Sequence, residues 1–287
     1  RLATGDLGGL PVLLALVVVW VAFQLRNPNF LSPRNLSNLI LQIAVIGMLG
    51  VGEALILLLG EIDLSIAAVS GLGSGVLVVL SMQNGWPAWL AIVAVLLMGG
   101  LIGLLQGTMV TLVRVPSFIV GLAGSIIYQG VLLSLLGQQG TVPVTDRTIL
   151  AIASSYLPGF VGWLLGGIVV VAAALLLSRQ RRERLAAGLP TTSPSSTVIT
   201  VLAVTVVTLL AVGVLNAYRG VPIAGLVLLL VVGLFTFLTQ STPWGRHVYA
   251  LGGNATAARL AGINLTRVRV IIYTLSGGIA GLAGVLL

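Results

Sequence analysis

Residues 88–112 read AWLAIVAVLLMGGLIGLLQGTMVTL and contain no charged side chain. The hydrocarbon core of a bilayer is about 30 Å thick, and about 20 apolar residues in an α-helix cross it. A strand of an outer-membrane barrel would instead alternate apolar and polar residues, and this stretch is apolar throughout. The segment therefore predicts a transmembrane α-helix.

Similar apolar runs recur along all 287 residues, of which 58% are hydrophobic and only 7% charged. The mean hydropathy of +1.17 exceeds that of water-soluble proteins. Because lipid offers the backbone no hydrogen-bond partners, such runs form helices. We predict an all-α polytopic membrane protein with a single transmembrane domain over residues 1–287. About nine helices are expected, over residues 8–25, 36–59, 64–81, 88–112, 117–136, 161–178, 197–216, 221–240 and 270–287.

The chain begins with Arg1 and stops at Leu287 within an apolar run. We therefore expect that both ends are truncated and that further helices follow Leu287 in the natural protein.

The net charge of +8 comes from arginines that lie in the loops between the predicted spans, which argues against a nucleic-acid partner. Cytoplasmic loops are enriched in basic residues. With a cytoplasmic N-terminus, ten of the fourteen arginines lie inside, and Arg26, Arg34, Arg147 and Arg219 lie outside. The sequence thus predicts a cytoplasmic N-terminus.

Two polar segments lie inside in this topology. Residues 179–197 contain RQRRER and LPTTSPSST, and they predict a flexible cytoplasmic loop whose charges set the topology. Residues 241–269 predict a second cytoplasmic loop. On the outer side, residues 137–159 are long enough to hold a short re-entrant or interfacial helix.

Glycines recur at spacings of four within several spans. Four residues correspond to about one helical turn, so each set lies on one helix face and permits close approach of a neighbouring helix. Bundle packing and a sliding face remain open as explanations. The sets are Gly99, Gly103 and Gly107; Gly71 and Gly75; Gly162 and Gly166; and Gly277 and Gly281.

Residues for enzymatic chemistry are scarce. The chain has no cysteine and one histidine, His247, so a metal site built from these residues is not expected. It also lacks a phosphate-binding P-loop, an HExxH motif and a serine, histidine and acid spaced as a catalytic triad. We predict that the protein is not an enzyme and needs no metal or cofactor.

Three acids lie at or near membrane depth, two of them in GEIDLS, residues 60–65. Ionisable groups at this depth are candidates for function. Proton relay, cation binding, helix capping and pairing between subunits are the open roles. Asp63 is placed to accept hydrogen bonds from the first turn of the third span. Glu61 is placed to pair with an arginine of a neighbouring loop, and Glu53, about two turns inside the second span, to face the bundle or a polar cavity rather than lipid. Polar side chains predicted for a path of uncharged cargo are Gln42, Glu53, Gln106 and Gln129.

Residues 242–269 read TPWGRHVYALGGNATAARLAGINLTRVR. Asn254 can cap a helix over Ala255 to Leu260, and Gly262 with Asn264 can end it. This short amphipathic helix could dock in a groove of a soluble partner or lie at the membrane surface.

Taken together, these motifs resemble the permease subunits of bacterial ABC importers for monosaccharides. The resemblance joins GEIDLS and its glycine-rich span to GRHVYALGGNATAARLAGINLTRVR and YTLSGGIAGLAG, and it extends from RNPNFLSPRNLSNLI to Leu287. The acid at Glu61 and the polar insert at 179–197 resemble the xylose type most.

The resemblance implies a permease that translocates a monosaccharide, expected to be xylose, across the inner membrane. It implies pairing into a homodimer, two cytoplasmic ATPase subunits that hydrolyse ATP, and an extracytoplasmic sugar-binding protein. GEIDLS would supply structural motif residues, namely Gly60, Glu61, Asp63 and Ser65. A helix that couples to the ATPase would comprise Asn254, Thr256, Ala257, Ala258, Arg259 and Gly262, although Thr256 stands where the family has an acid.

Three alternatives remain open. A branched-chain amino-acid ABC permease shares the broad architecture, although GEIDLS argues against it. A secondary transporter would couple to an ion through Glu53 or Asp63. A structural or sensory membrane subunit would transport nothing.

Overall fold

The computed structural model describes residues 10–137, 142–191 and 193–287, and nearly all of them are helical. The helices are α1 (Leu10–Arg26), α2 (Pro33–Leu57), α3 (Ile66–Val78), α4 (Ala88–Thr108), α5 (Ser117–Leu136), α6 (Arg147–Ser154), α7 (Gly159–Ala186), α8 (Pro194–Asn216), α9 (Ile223–Ser241), α10 (Pro243–Gly253), α11 (Ala255–Leu260) and α12 (Leu265–Leu286). Single π-helical turns, Val79–Gln83 and Met109–Val113, extend α3 and α4. Two short paired strands are β1 (Tyr156–Leu157) and β2 (Val221–Pro222).

Within the described residues, eight helices are long and apolar enough to cross a membrane. This confirms the predicted all-α polytopic class. The predicted count of about nine is not confirmed, because α1 yields only a shorter apolar helix, Leu14–Arg26. The boundaries differ most at α7, which continues through the arginine cluster to Ala186. The loop predicted at 179–197 is therefore shorter, because arginine and glutamate are good helix formers.

The chain divides into two compact units, residues 1–39 with 157–221 and residues 40–156 with 222–287. The single transmembrane domain over residues 1–287 stays a prediction, because a division into compact units does not decide whether they form one domain.

In the second unit, α12 lies at the centre. Its residues Ile272, Ala280 and Ala283 are fully buried. Glycines of α4 face it closely: a Cβ on Gly99 would collide with the carbonyl oxygen of Gly277, and one on Gly103 with that of Tyr273. The glycine sets of α4 and α12 therefore serve helix packing.

The same rule holds for α7 and α8 in the first unit. A Cβ on Gly162 would lie 3.0 Å from Asn216 Oδ1, and one on Gly166 would lie 3.2 Å from a Val212 methyl group. Asn216 also donates a hydrogen bond to the carbonyl oxygen of Gly159 at 3.0 Å. The glycines thus let these two helices pack along their length.

The short helix predicted between residues 137 and 159 is present as α6, although residues 138–141 lie outside the described residues. Asp146 caps it by accepting hydrogen bonds from the amides of Thr148 at 2.8 Å and Ile149 at 3.1 Å. Ile149 is buried against the ends of α3 and α4.

Candidate functional site

The GEIDLS segment connects α2 to α3 in a non-helical conformation. Gly60 has a φ of +75°, a left-handed conformation that glycine adopts at little cost. The amides of Gly60 and Glu61 donate back to the carbonyl oxygens of Leu57 and Ile56, at 2.9 and 3.3 Å. Gly60 therefore ends α2 and turns the acids of the segment back toward the helix bundle.

Asp63 lies before α3 and is 6% exposed. Its Oδ1 accepts hydrogen bonds from the amide of Ser65 at 2.8 Å and from the Ser65 hydroxyl at 2.7 Å. The prediction that Asp63 accepts from an amide at the start of the third span is confirmed for Ser65. The helix begins at Ile66, two residues later than predicted, so Ser65 is the N-cap residue and Asp63 holds it in place.

Glu53 also contacts this segment. Its Oε1 accepts a hydrogen bond from the Asp63 amide at 3.2 Å. Since α2 ends at Leu57, Glu53 lies about one turn from the helix end rather than the predicted two. Its half-buried side chain faces the bundle, as predicted, and ties α2 to GEIDLS.

Gln106 of α4 joins the same network. Its Nε2 donates to the Ser65 hydroxyl at 2.6 Å, and Gln106 is only 3% exposed. Helix α5 approaches closely here, because a Cβ on Gly121 would lie 2.8 Å from Asp63 Oδ1 and one on Gly124 would lie 3.1 Å from Gln106 Nε2. Buried polar groups are stabilised only when they are paired, so these bonds fix α2, α4 and GEIDLS relative to one another.

Glu61 pairs with an arginine, as predicted, but the partner, Arg269, lies in helix α12 and not in a loop. The distance between Glu61 Oε1 and Arg269 Nε is 2.7 Å, with side chains 13% and 27% exposed. The Tyr273 hydroxyl donates to Glu61 Oε2 at 2.8 Å. We call Glu61, Arg269 and Tyr273 the GEIDLS–α12 clamp.

We expect Glu61→Gln and Arg269→Gln each to lower the stability of the assembled transporter by about 1–3 kcal/mol, because each leaves a partly buried group without its partner. The double variant Glu61→Gln/Arg269→Gln should cost less than the sum of the two by about 0.5–3 kcal/mol. Thermal unfolding of the three purified variants checks this cycle. Strictly additive losses would show that the two side chains do not interact.

Helix α11 has the predicted bounds, Ala255–Leu260. Asn254 Oδ1 accepts a hydrogen bond from the Ala257 amide at 2.9 Å. Gly262 follows the last turn with a φ of +82°, as expected of a helix C-terminus. The prediction that Asn264 helps to end α11 is wrong. Asn264 instead caps α12 by accepting a hydrogen bond from the Arg267 amide at 2.9 Å.

One face of α11 is buried and the other is open. Ala258 is 3% exposed, whereas Leu260 is 85% exposed. Besides Leu260, the exposed residues of this segment are Thr256, Ala257, Arg259, Ala261 and Gly262. The preceding helix α10 is fixed to the end of α2, because Gly252 lies so close to the Leu58 carbonyl oxygen that a Cβ would collide with it. The structure thus presents α11 outward from a firmly packed base.

Most of the residues predicted for the GEIDLS motif and the translocation path lie in one region, but Gln42 and Gln129 do not. Glu53, Glu61, Asp63, Ser65 and Gln106 take part in the interactions described above. The side chains of Gln42 and Gln129 are exposed on α2 and α5 and join none of those bonds.

Arg269 and Tyr273 were missed as partners of Glu61. Their spacing of four places Arg269 and Tyr273 on one helix face, but nothing in the sequence indicates that this face meets Glu61. Among the described ranges, no group of three histidine, cysteine or acidic residues could hold a metal ion.

Comparison with known proteins places these features in a family. Residues 35–287 match the family model described as "Branched-chain amino acid transport system / permease component". The chain is 35% identical over 277 residues to the xylose transport system permease protein of Haemophilus influenzae, covering 96% of this chain and 74% of that protein. It is 36% identical over 276 residues to the corresponding protein of Escherichia coli K12, covering 95% and 70%.

More distant relatives include the ribose import permease protein of Bacillus subtilis, 28% identical over 275 residues that cover 96% of this chain and 66% of that protein. No solved structure matches the chain. Because the family model spans most of the sequence and two xylose permeases are more than a third identical over nearly all of it, the chain belongs to the multi-pass inner-membrane permease components of sugar ABC importers, which are transport subunits and not enzymes.

Proposed function

We propose that this permease component carries xylose. Two xylose permeases share 35% and 36% of their aligned residues with it, against 28% for a ribose and a fructose permease. Gln42 and Gln129 offer exposed amides that can bond sugar hydroxyls, whereas Glu53 and Gln106 are held by Asp63 and Ser65 and shape the wall of the path.

The coupling surface is α11. This capped helix is anchored by the buried Ala258, whereas Leu260 is 85% exposed. Leu260 can therefore insert into an apolar groove of a partner. The exposed Arg259 adds a positive charge beside it. This exposed helix is the observation that carries the proposal, and the partner is the ATPase subunit that ABC importers require.

The complete importer comprises two copies of the permease, two ATPase subunits and an extracytoplasmic sugar-binding protein. Two states follow, one open outward and one inward, and ATP shifts the population between them. Arg269, which pairs with Glu61, lies only nine positions after Leu260. The GEIDLS–α12 clamp is therefore placed to pass movement of α11 to the helix bundle.

The N-terminus lies in the cytoplasm, since this orientation places ten of fourteen arginines inside. The absence of cysteine from these 287 residues allows a direct check. We expect a membrane-impermeant maleimide to label Ser195→Cys only in inverted vesicles, and Thr148→Cys only from the periplasmic side. The reverse pattern would require the opposite orientation.

Uptake of radiolabelled xylose tests the whole proposal. The full-length gene is expressed with its ATPase and binding protein, and ribose, galactose and leucine serve as comparisons. We expect xylose to be taken up fastest and a catalytically dead ATPase to abolish the uptake. An ionophore should leave the initial rate unchanged in cells whose ATP level is maintained.

Faster uptake of leucine would instead support an amino-acid permease, as the family description suggests. Uptake that survives the dead ATPase but collapses with the ionophore would overturn the importer mechanism and direct attention to Glu53 and Asp63.

A further inference from the structure

A polar cavity of about 240 Å³ lies between the end of α7 and the start of α8. It is smaller than the pockets of about 300–1,000 Å³ that hold drug-sized ligands, and it suits a small headgroup. Its wall on α7 combines one apolar and three polar side chains at helical spacing, which places them on one face. These are Leu177, Gln180, Arg181 and Arg184.

Arg181 has a buried hydrogen-bond donor without a partner. Its Nε is buried and has no hydrogen-bond partner, although buried donors are almost always paired. Between residues 157 and 221 the sequence holds one acid, Glu183, and its Oε1 lies 2.7 Å from Arg179 Nε. Within the described ranges, no carboxylate lies at ion-pair distance from Arg181 or Arg184.

The wall on α8 consists of hydroxyls at the helix start, including Ser196 and Thr197. This end of a helix favours negative charge. The Ser193 side chain caps it by accepting from the Ser196 amide at 3.2 Å, so Ser196 and Thr197 lie in the capped first turn of α8. Two guanidinium groups and two hydroxyls therefore converge on one space with an excess of positive charge.

The chemistry fits a phosphate, because arginine binds phosphate oxygens through charged, often bidentate hydrogen bonds. Leu177 adds an apolar side chain to the cavity wall. The preceding Leu175 and Leu176 are 66% and 61% exposed, as expected of a helix surface in lipid. The phosphate end of a ligand bound here would thus contact the arginines, and its other end would contact the lipid along α7.

We infer that the cavity between α7 and α8 binds the phosphate headgroup of an anionic phospholipid through Arg181 and Arg184. Basic pockets between transmembrane helices at a membrane surface bind such headgroups in general. The arginine cluster then has a local role, beyond the orientation of the chain in the membrane.

Native mass spectrometry of the full-length permease, titrated with phosphatidylglycerol or phosphatidylcholine of identical acyl chains, tests this inference. Arg182 supplies the matched control, because it lies next to Arg181 but is exposed and does not line the cavity. We expect Arg181→Gln/Arg184→Gln to weaken retention of phosphatidylglycerol about tenfold or more, and Arg182→Gln to change it less than about twofold. Phosphatidylcholine should be retained weakly by all three proteins.

Inorganic phosphate at millimolar concentration distinguishes the source of the ligand. If phosphate alone displaces phosphatidylglycerol, the phosphate group accounts for the binding and the ligand is a soluble phosphate, which overturns the lipid assignment. If the lipid stays bound, the lipid assignment is supported. Equal losses in Arg181→Gln/Arg184→Gln and Arg182→Gln would overturn the inference, since general surface charge would then explain binding.

Folding is checked separately by the melting temperature of each variant. If the double glutamine variant unfolds, Arg181→Lys/Arg184→Lys keeps both charges and loses the planar guanidinium fork. It should retain phosphatidylglycerol several-fold less well than the wild type. Retention equal to wild type in this folded variant would also overturn the inference.

Discussion

Leu260→Asp is expected to lower ATP-dependent uptake at least about tenfold without reducing the amount of folded permease. Leu260 is the last residue of α11 and is 85% exposed, so its replacement removes no contact within the chain's own core. Burying a leucine side chain in a partner's groove contributes about 1.5–3 kcal/mol. A carboxylate in that groove would be desolvated without a partner, which adds to the loss.

Thr266→Asp is the matched control. Thr266 is exposed in the first turn of α12, where an acid is compatible with the helix dipole, and the variant introduces the same charge six residues away. Uptake and ATPase co-purification should stay within about twofold of wild type for this variant. If Leu260→Asp still pulls down the ATPase subunit and transports xylose normally, α11 is not the coupling surface.

The fold class was predictable because hydropathy in a long apolar run is a local property. The spans at 88–112 and 117–136 agree with the structure to within a residue, since prolines 87 and 116 immediately precede α4 and α5. The end of α7 was not predictable in this way. RQRRER is polar enough to look like a loop, yet its residues favour helix once α7 has formed.

The sequence allowed most residues of the candidate site to be predicted, but not the contacts between them. Scarcity made Glu53, Glu61 and Asp63 conspicuous in a chain with six acids. Their partners depend on tertiary packing: Arg269 lies 208 positions after Glu61, and no local rule connects the two. The Ser65 amide donates to Asp63 as predicted, but α3 begins two residues later than expected, which gives the N-cap position to Ser65.

Gly103→Ala is expected to destabilise the permease by about 1–3 kcal/mol, the usual cost of overpacking a close contact. A Cβ at this position would collide with the Tyr273 carbonyl oxygen and lie 2.7 Å from its carbonyl carbon and 3.0 Å from Thr274 Cα. These are backbone atoms of α12, so relief requires the helices to move apart. The gain in helix propensity from glycine to alanine, about 1 kcal/mol, would offset only part of this cost.

Gly100→Ala provides the control within the same helix. Its Cβ would meet only the Thr274 methyl group at 3.8 Å and the Thr274 carbonyl oxygen at 3.9 Å, which are ordinary contacts. This variant should melt at the wild-type temperature or slightly above it, whereas Gly103→Ala should melt lower and yield less monodisperse protein. Because Tyr273 also bonds Glu61, displacement of α12 in Gly103→Ala should weaken the GEIDLS–α12 clamp and reduce xylose uptake per folded molecule. Equal melting temperatures for the two variants would mean that α4 and α12 are not in the close contact described here.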